Sequence, residues 1–316
     1  MTNDRKWVLV AMLVLILMPL ALVLIKARTY YVANRHNGSM VSSGETREYV
    51  LYVPSSYDAA KPASLVISLH GGALWGAAQM EISQWNEVAE REGLIVVYPS
   101  GLRGDGPRHW RAGDGAEVNR DVKFISDLID TLELAYNIDP ARIYANGLSN
   151  GGGMSFELSC MLSDRIAAVG LVGAAHFLPM SWCTGPRPVP MIAFHGTADR
   201  FAAYNGGTSW VAPNHLFPNI STFTADWARK NQCGPDPVES AVADDVTRLE
   251  YTDCADDAGV VLYTVRNGGH TWPGGGPMPE WFAGPTSTGI DATNQMWEFF
   301  KEHPLRGRTA GFAAGR

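Results

Sequence analysis

Short, unbroken apolar runs recur along this chain with helical spacing between them, and that alternation restricts the possible folds more than any single residue. The runs lie at 64–69, 94–99, 142–144, 167–172, 190–194 and 260–265. Consecutive apolar positions mean that both faces of a strand are buried, which a parallel sheet covered by helices on each side requires. Between them, residues 81–92 place Ile82, Trp85, Val88 and Ala89 on one helical face. Residues 118–136 do the same with Val122, Ile125, Leu128, Ile129, Leu132 and Ala135. Residues 47–54 alternate like a strand and are stopped by Pro54. Stretches 221–230 and 291–301 read as later helices, the first inside a loop-rich excursion over 202–246. The expected fold is α/β, with an open, mostly parallel central sheet and helices on both faces. At 316 residues and 46% hydrophobic content the chain can bury one large core.

Ahead of this pattern, residues 7–25 form an apolar run without a charge. At about 1.5 Å per residue it spans roughly 28 Å, enough for one transmembrane helix. Lys26-Ala27-Arg28 follows directly where a signal peptidase site would need small residues, so an uncleaved anchor fits better than a cleaved signal. Arg5 and Lys6 on one side and Lys26, Arg28 and Arg35 on the other leave the charge rule for topology undecided. An N-terminal apolar segment ordinarily directs export, so the expectation is an extracytoplasmic body, secreted or membrane-anchored. The division expected is 1–26 anchor or signal segment, 27–45 linker, 46–303 catalytic domain and 304–316 flexible tail.

Several of the runs end in a glycine-framed polar loop. After 142–144 comes Gly147-Leu148-Ser149-Asn150-Gly151, the G-x-S-x-G pattern of a strand-to-helix turn that exposes a serine nucleophile. After 64–69 comes His70-Gly71-Gly72-Ala73. There a backbone N–H of Gly72 or Ala73 would join that of Asn150 as an oxyanion hole. After 190–194 comes His195-Gly196-Thr197-Ala198-Asp199, which offers Asp199 as an acid at a strand end. After 260–265 comes a glycine-rich loop carrying His270. Ser149, Asp199 and His270 in that chain order form the triad expected of an α/β-hydrolase, with His270 as base and Asp199 orienting it. Among rival histidines, His70 belongs to the oxyanion loop and His195 reads as structural. His109, His176, His215 and His303 lack a glycine-framed loop. Trp110, in the long loop at 100–115, and Trp272, beside His270, are read either as aromatic walls for substrate or as core.

The four cysteines, Cys160, Cys183, Cys233 and Cys254, form no C-x-x-C pair, which argues against structural zinc. In an exported chain they suggest two disulfides, of which neighbour pairing is the simplest of three connectivities; in a cytosolic chain they would be buried thiols. The net charge of −7, from 25 basic and 32 acidic residues, argues against a nucleic-acid partner.

Six blocks in order carry a family resemblance: Leu69-His70-Gly71-Gly72, Trp85-Asn86-Glu87-Val88-Ala89, Val96-Val97-Tyr98-Pro99, Gly147-Leu148-Ser149-Asn150-Gly151-Gly152, His195-Gly196-Thr197-Ala198-Asp199 and Gly269-His270-Thr271-Trp272-Pro273-Gly274. Over residues 45–303 the chain resembles the polyhydroxybutyrate depolymerase and feruloyl-esterase-like family of secreted serine esterases. The resemblance implies a serine carboxylesterase without metal or organic cofactor, acting on hydroxyalkanoate, feruloyl or cinnamoyl, or acetyl esters. It also implies disulfides, in keeping with export. The chain departs from the family pattern at Ala203-Tyr204, where many relatives have proline before the tyrosine. It also ends at residue 316 without the linker and surface-binding domain of depolymerases that attack solid polyester, so soluble or oligomeric esters are the expected substrates. Acyl transfer through the same triad, and a catalytically silent binding domain on a hydrolase fold, are the alternatives.

Overall fold

The computed structural model describes residues 17–18, 35–102, 106–113 and 118–306. The proposed membrane segment at 7–25 lies outside the described residues except for Leu17 and Met18, as does most of the expected tail at 304–316. Among the described residues, no helix is long and apolar enough to cross a membrane. The described residues from His36 to Arg306 belong to one compact unit.

The chain enters the sheet at β1 (Gly38–Ser42) and returns antiparallel as β2 (Glu45–Tyr52). The sheet therefore begins inside the stretch 27–45 that reads as a linker. The polar Gly-Ser character there belongs to a solvated edge strand, with Val41 exposed. β3 (Ala63–Leu69) leads to α1 (Gly76–Ser83) and α2 (Trp85–Glu92). One helix was expected here; Gln84 adopts a left-handed φ of 56° and divides it in two. β4 (Ile95–Pro99), α3 (Val118–Ala135), β5 (Ile138–Leu148), α4 (Asn150–Met161), β6 (Val169–Val172) and β7 (Met191–Gly196) follow. The loop-rich excursion contains a small hairpin that was not expected, β8 (Gly207–Ser209) with β9 (Ala212–Phe217), then the expected helix, α5 (Ile220–Lys230). It then contributes β10 (Val238–Ala243) to the main sheet. β11 (Val246–Tyr251), β12 (Val260–Val265), the short α6 (Glu280–Ala283) and α7 (Ala292–Glu302) complete the unit.

The ten strands lie in the order β1-β2-β4-β3-β5-β6-β7-β12-β11-β10. From β4 to β12 every neighbouring pair is parallel, and an antiparallel pair closes each edge. The parallel strands are the ones the apolar runs mark, and their residues are almost all buried. α3 buries Val122, Phe124, Ile125, Leu128, Ile129 and Leu132, each contributing about 1.5–3 kcal/mol over its exposed state. Its expected last stripe residue, Ala135, is exposed instead. Phe124 also carries the guanidinium of Arg47 4.0 Å above its ring, and Arg47 ion-pairs with Asp121 at 2.7 Å, both fully buried.

Register determines where the loops emerge. Leu69 is level with Gly147, Leu148 with Val172, Val172 with Phe194, and Val265 with Gly196. The loops after β3, β5, β6, β7 and β12 therefore open side by side along one edge of the sheet. Two disulfides fasten the same half of the molecule. Cys160 at the end of α4 pairs with Cys183, and Cys233 after α5 pairs with Cys254, which is the simplest connectivity expected.

Candidate active site

Ser149 stands between β5 and α4 with φ 56° and ψ −120°, a conformation that an L-residue holds only under constraint. The constraint is visible in its backbone bonds. Its N–H donates to Val172 O at 2.8 Å, and its carbonyl accepts from Gly153 and Ala175, each at 3.0 Å. The flanking glycines answer to sterics. A Cβ on Gly147 would fall 2.3 Å from the carbonyl of Gly151, and one on Gly151 would fall 2.3 Å from Leu69 O. No larger residue fits either position, because at Gly147 the elbow folds back on itself and at Gly151 it is pressed against the end of β3.

The loop after β3 packs beside this serine. A Cβ on Gly71 would meet Ser149 Cβ at 3.4 Å, and one on Gly72 would lie 4.0 Å from Asn150 Cβ. Asn150 opens α4, so its N–H belongs to a helix N-terminus where negative charge is favoured. One expectation needs correcting. The N–H of Ala73 donates to Arg108 O at 2.7 Å, so it is occupied and unsuited to an oxyanion. Ala73 holds the loop in shape instead, with φ 62°. Gly72 and Asn150 remain as candidate donors.

His70 is fully buried, and its bonds define its tautomer. Nδ1 lies 2.7 Å from Gly71 O, a pure acceptor, so Nδ1 carries the proton; Nε2 accepts the N–H of Gly101 at 2.9 Å. Burial pushes its pKa down to about 3, against the Gly71 hydrogen bond. It is a neutral strut between the loops after β3 and β4.

On the other side of Ser149 in the strand order, Asp199 and His270 meet. His270 Nδ1 lies 2.7 Å from Asp199 Oδ2, both residues being buried. Asp199 Oδ1 accepts the N–H groups of Phe201 at 2.8 Å and Ala202 at 2.9 Å. Burial favours the neutral acid, but the charge of His270 and hydrogen bonds from His195 and His270 outweigh it. Together they hold Asp199 well below the usual carboxylate range. With Asp199 ionised, Nδ1 of His270 keeps its proton and Nε2 presents a basic lone pair. The loop of His270 is fastened by the N–H of Gly269 to Pro285 O and that of His270 to Ala283 O. Gly173, just after the Val172 that holds Ser149, fits between the groups: a Cβ there would come within 3.1 Å of His270 Nδ1 and 3.3 Å of Asp199 Oδ2. The acid–base pair thus lies against Gly173, one residue beyond the Val172 that holds Ser149. His195 is buried as a companion of Asp199, its Nε2 2.7 Å from Ala202 O and 3.4 Å from Asp199 Oδ2.

The two tryptophans considered as substrate walls are core residues. Trp110 is fully buried; its indole N–H donates to His70 O at 2.9 Å, and its backbone is clasped by the Asn150 side chain. Trp272 is 1% exposed and donates to Thr293 Oγ1 at 2.9 Å. Each has its polar tip satisfied inside the protein and no face left for a ligand. The aromatic surface lies elsewhere. Phe201 stacks on His270 at 4.8 Å between centroids and touches Phe282 at 4.9 Å and Trp210 at 5.3 Å. Trp210 is 66% exposed and Phe282 43%. Phe201 and Trp210 fall in turns and Phe282 in the one-turn α6, too short for any periodicity to single them out; Phe201, two places after Asp199, carried the only local signal.

Glu157 of α4 is buried and accepts the N–H of Gly113 at 2.9 Å. Burial pushes its pKa up to about 8, with the charge of Asp121 adding to the rise and the Gly113 bond opposing it. Among the described residues, no group of three or more His, Cys, Asp or Glu side chains is arranged to hold a metal ion.

Comparison with known proteins bears on this arrangement. The family model described as esterase PHB depolymerase matches residues 47–180. Feruloyl esterase B of Piromyces equi is 32% identical over 230 residues, 71% of this chain; the match spans 42% of that protein's length. The putative esterase NocK of Nocardia uniformis subsp. tsuyamanensis is 30% identical over 264 residues, 75% of this chain and 73% of that protein. Among solved structures, the acetyl xylan esterase from Aspergillus awamori superposes with a TM-score of 0.59 at 15% identity, covering 81% of this chain and 94% of that one. That last likeness is one of fold.

Proposed function

The chain belongs to the esterase PHB depolymerase family, and from that membership and the site geometry we propose that it is a serine carboxylesterase. The observation that carries the reading is the 2.7 Å contact of His270 Nδ1 with Asp199 Oδ2 beside the strained elbow at Ser149. In the proposed reaction, Ser149 Oγ attacks the acyl carbon and its proton passes to Nε2 of His270. Asp199 stabilises the imidazolium and keeps the ring oriented. The N–H groups of Gly72 and Asn150 receive the negative charge that develops on the carbonyl oxygen. His270 then gives the proton to the departing alcohol. Water, deprotonated by the same imidazole, releases the acid and restores the serine.

The substrates proposed are hydroxyalkanoate, feruloyl or cinnamoyl, and acetyl esters, the last two classes matching the names of similar proteins. The two disulfides support an oxidising, extracytoplasmic compartment, with attachment to a membrane through residues 7–25. The catalytic unit proposed runs to about residue 303. The test of the chemistry is Ser149→Ala on p-nitrophenyl acetate. A fall of about 10³-fold or more in kcat is expected, with the circular-dichroism spectrum unchanged. Turnover equal to that of the parent would refute the assignment. Product analysis with an added alcohol separates hydrolysis from acyl transfer, since transfer product exceeding free acid in dilute buffer contradicts the hydrolase reading. Extraction of membranes at high pH tests the anchor: protein found wholly in the soluble fraction contradicts it.

A further inference from the structure

The strand order around Ser149 gives the two halves of an ester different sides of the site. The loop with Gly72 follows β3, on one side of β5; Asp199 and His270 follow β7 and β12, on the other. In the acylation step of the proposed mechanism, the bond from Ser149 Oγ to the acyl carbon forms and the bond from that carbon to the alcohol oxygen breaks. The proton taken from Ser149 goes to that same alcohol oxygen from Nε2 of His270. The leaving oxygen must therefore come within hydrogen-bond reach of His270, and whatever is attached to it must leave over the surface next to that ring.

That surface is aromatic. Phe201 lies against His270 with its ring tilted 26° to the imidazole, Phe282 meets Phe201 edge-on at 67°, and Trp210 leans on both. Trp281, 83% exposed and 5.7 Å from Phe282, extends the rim outward. Large apolar rings left in water beside a reacting centre cost free energy unless a ligand covers them. Their supports are built into the site itself. Phe201 N–H donates to Asp199, and Phe282 precedes the Ala283 whose carbonyl receives the N–H of His270.

We propose that Phe201, Phe282 and Trp210 form the subsite for the alcohol half of the ester, and that it takes an alcohol presenting a flat ring, either an aryl group or the C–H face of a pyranose. The proposal rests on the triad reading above. It assigns these aromatics to the leaving group and leaves the acyl group to the side of the Gly72 loop.

The experiment uses acetates that share one acyl group and differ in alcohol: ethyl acetate, phenyl acetate and an acetylated methyl xylopyranoside. The full chain is compared with Trp210→Ala and Phe282→Ala; both side chains are substantially exposed, and thermal melts verify folding. In the parent, a burst of phenol from phenyl acetate establishes the acetyl-enzyme. Its absence, together with full activity in Ser149→Ala, is the failure of the triad reading and is seen before any rim variant is compared. Given the burst, the expected result is that kcat/KM for a ring-bearing acetate falls about tenfold more than for ethyl acetate. The rate of deacylation, which no longer involves the alcohol, should remain that of the parent. A selective fall with phenyl acetate identifies the aryl source, one with the xylopyranoside the sugar source, and both together a general ring platform. Equal losses on all three acetates, no loss on any, or a change in the deacylation rate of the acetyl-enzyme would overturn the proposal.

Discussion

The side chain of Asn150 grips the backbone of Trp110 at both ends, accepting its N–H at 2.7 Å and donating to its carbonyl at 3.1 Å, as a neighbouring strand would. The residue after the serine thus has two roles: its main chain opens α4 and is a proposed oxyanion donor, and its side chain secures the loop that carries Trp110. Asn150→Asp keeps the acceptor, removes the donor and sets a carboxylate against the Trp110 carbonyl inside the protein. A loss of about 1–3 kcal/mol is expected, read as a lower urea midpoint at unchanged slope. An unaltered midpoint would mean that the clasp contributes nothing.

Asp199→Asn tests the role of the acid apart from its role as an anchor. An amide oxygen can still accept from Phe201 and Ala202, but the amide nitrogen cannot accept from Nδ1 of His270. The imidazole would turn to the tautomer with its proton on Nε2, the nitrogen that must take the proton of Ser149. A fall in kcat of roughly 10⁴-fold is expected, with a melting temperature close to that of the parent. A loss confined to KM would contradict this role.

Glu157 predicts a pH dependence of stability with a definite sign. Its folded pKa, about 8, lies above its ordinary value of 4.5, so between these limits the folded chain holds a proton that the unfolded chain has released. Its contribution is fully present below about pH 4.5 and is lost as pH rises through 8. Glu157→Gln keeps an acceptor for the Gly113 N–H without the charge. The variant should match the parent at pH 4.5 and exceed it at pH 8.5 by on the order of a few kcal/mol. Denaturant midpoints measured at both values decide it; parallel curves would show that Glu157 is ionised throughout.

The Cys160–Cys183 bridge closes a separation of 23 residues, which the chain-entropy model values at about 3 kcal/mol. Replacing both cysteines by alanine should lower stability by about that amount and leave the hydrolysis rate at low temperature nearly unchanged. The complementary measurement is a thiol titration of the unreduced parent. Four reactive thiols in denaturant would exclude both bridges.

The parallel core was legible because strands covered on both faces show as unbroken apolar runs, and the elbow because Gly147 and Gly151 answer to contacts under 3 Å. The edges were less so. Gly38–Ser42 and Val238–Ala243 are edge strands that mix polar and apolar residues, so neither shows as an unbroken apolar run. Arg47, read as one polar position in an alternating strand, is wholly buried through a partner 74 positions away, a pairing no local pattern reveals. Trp110 and Trp272 stayed open between substrate wall and core for a related reason. A tryptophan in a loop beside a reactive group can face inward or outward, and a tertiary hydrogen bond to His70 or Thr293 decides which.

Apart from the Phe201 ring on His270, the acid and the base are held from the side of the aromatic rim by main-chain atoms. Asp199 is held by amides of Phe201 and Ala202, and the His270 loop by carbonyls of Ala283 and Pro285. At Trp210 and Phe282, side chains can therefore be exchanged while the groups that move the proton stay where they are. A chain organised this way can acquire a new preference by single substitutions without passing through an inactive ancestor, and a laboratory library confined to these two positions should stay rich in working enzymes.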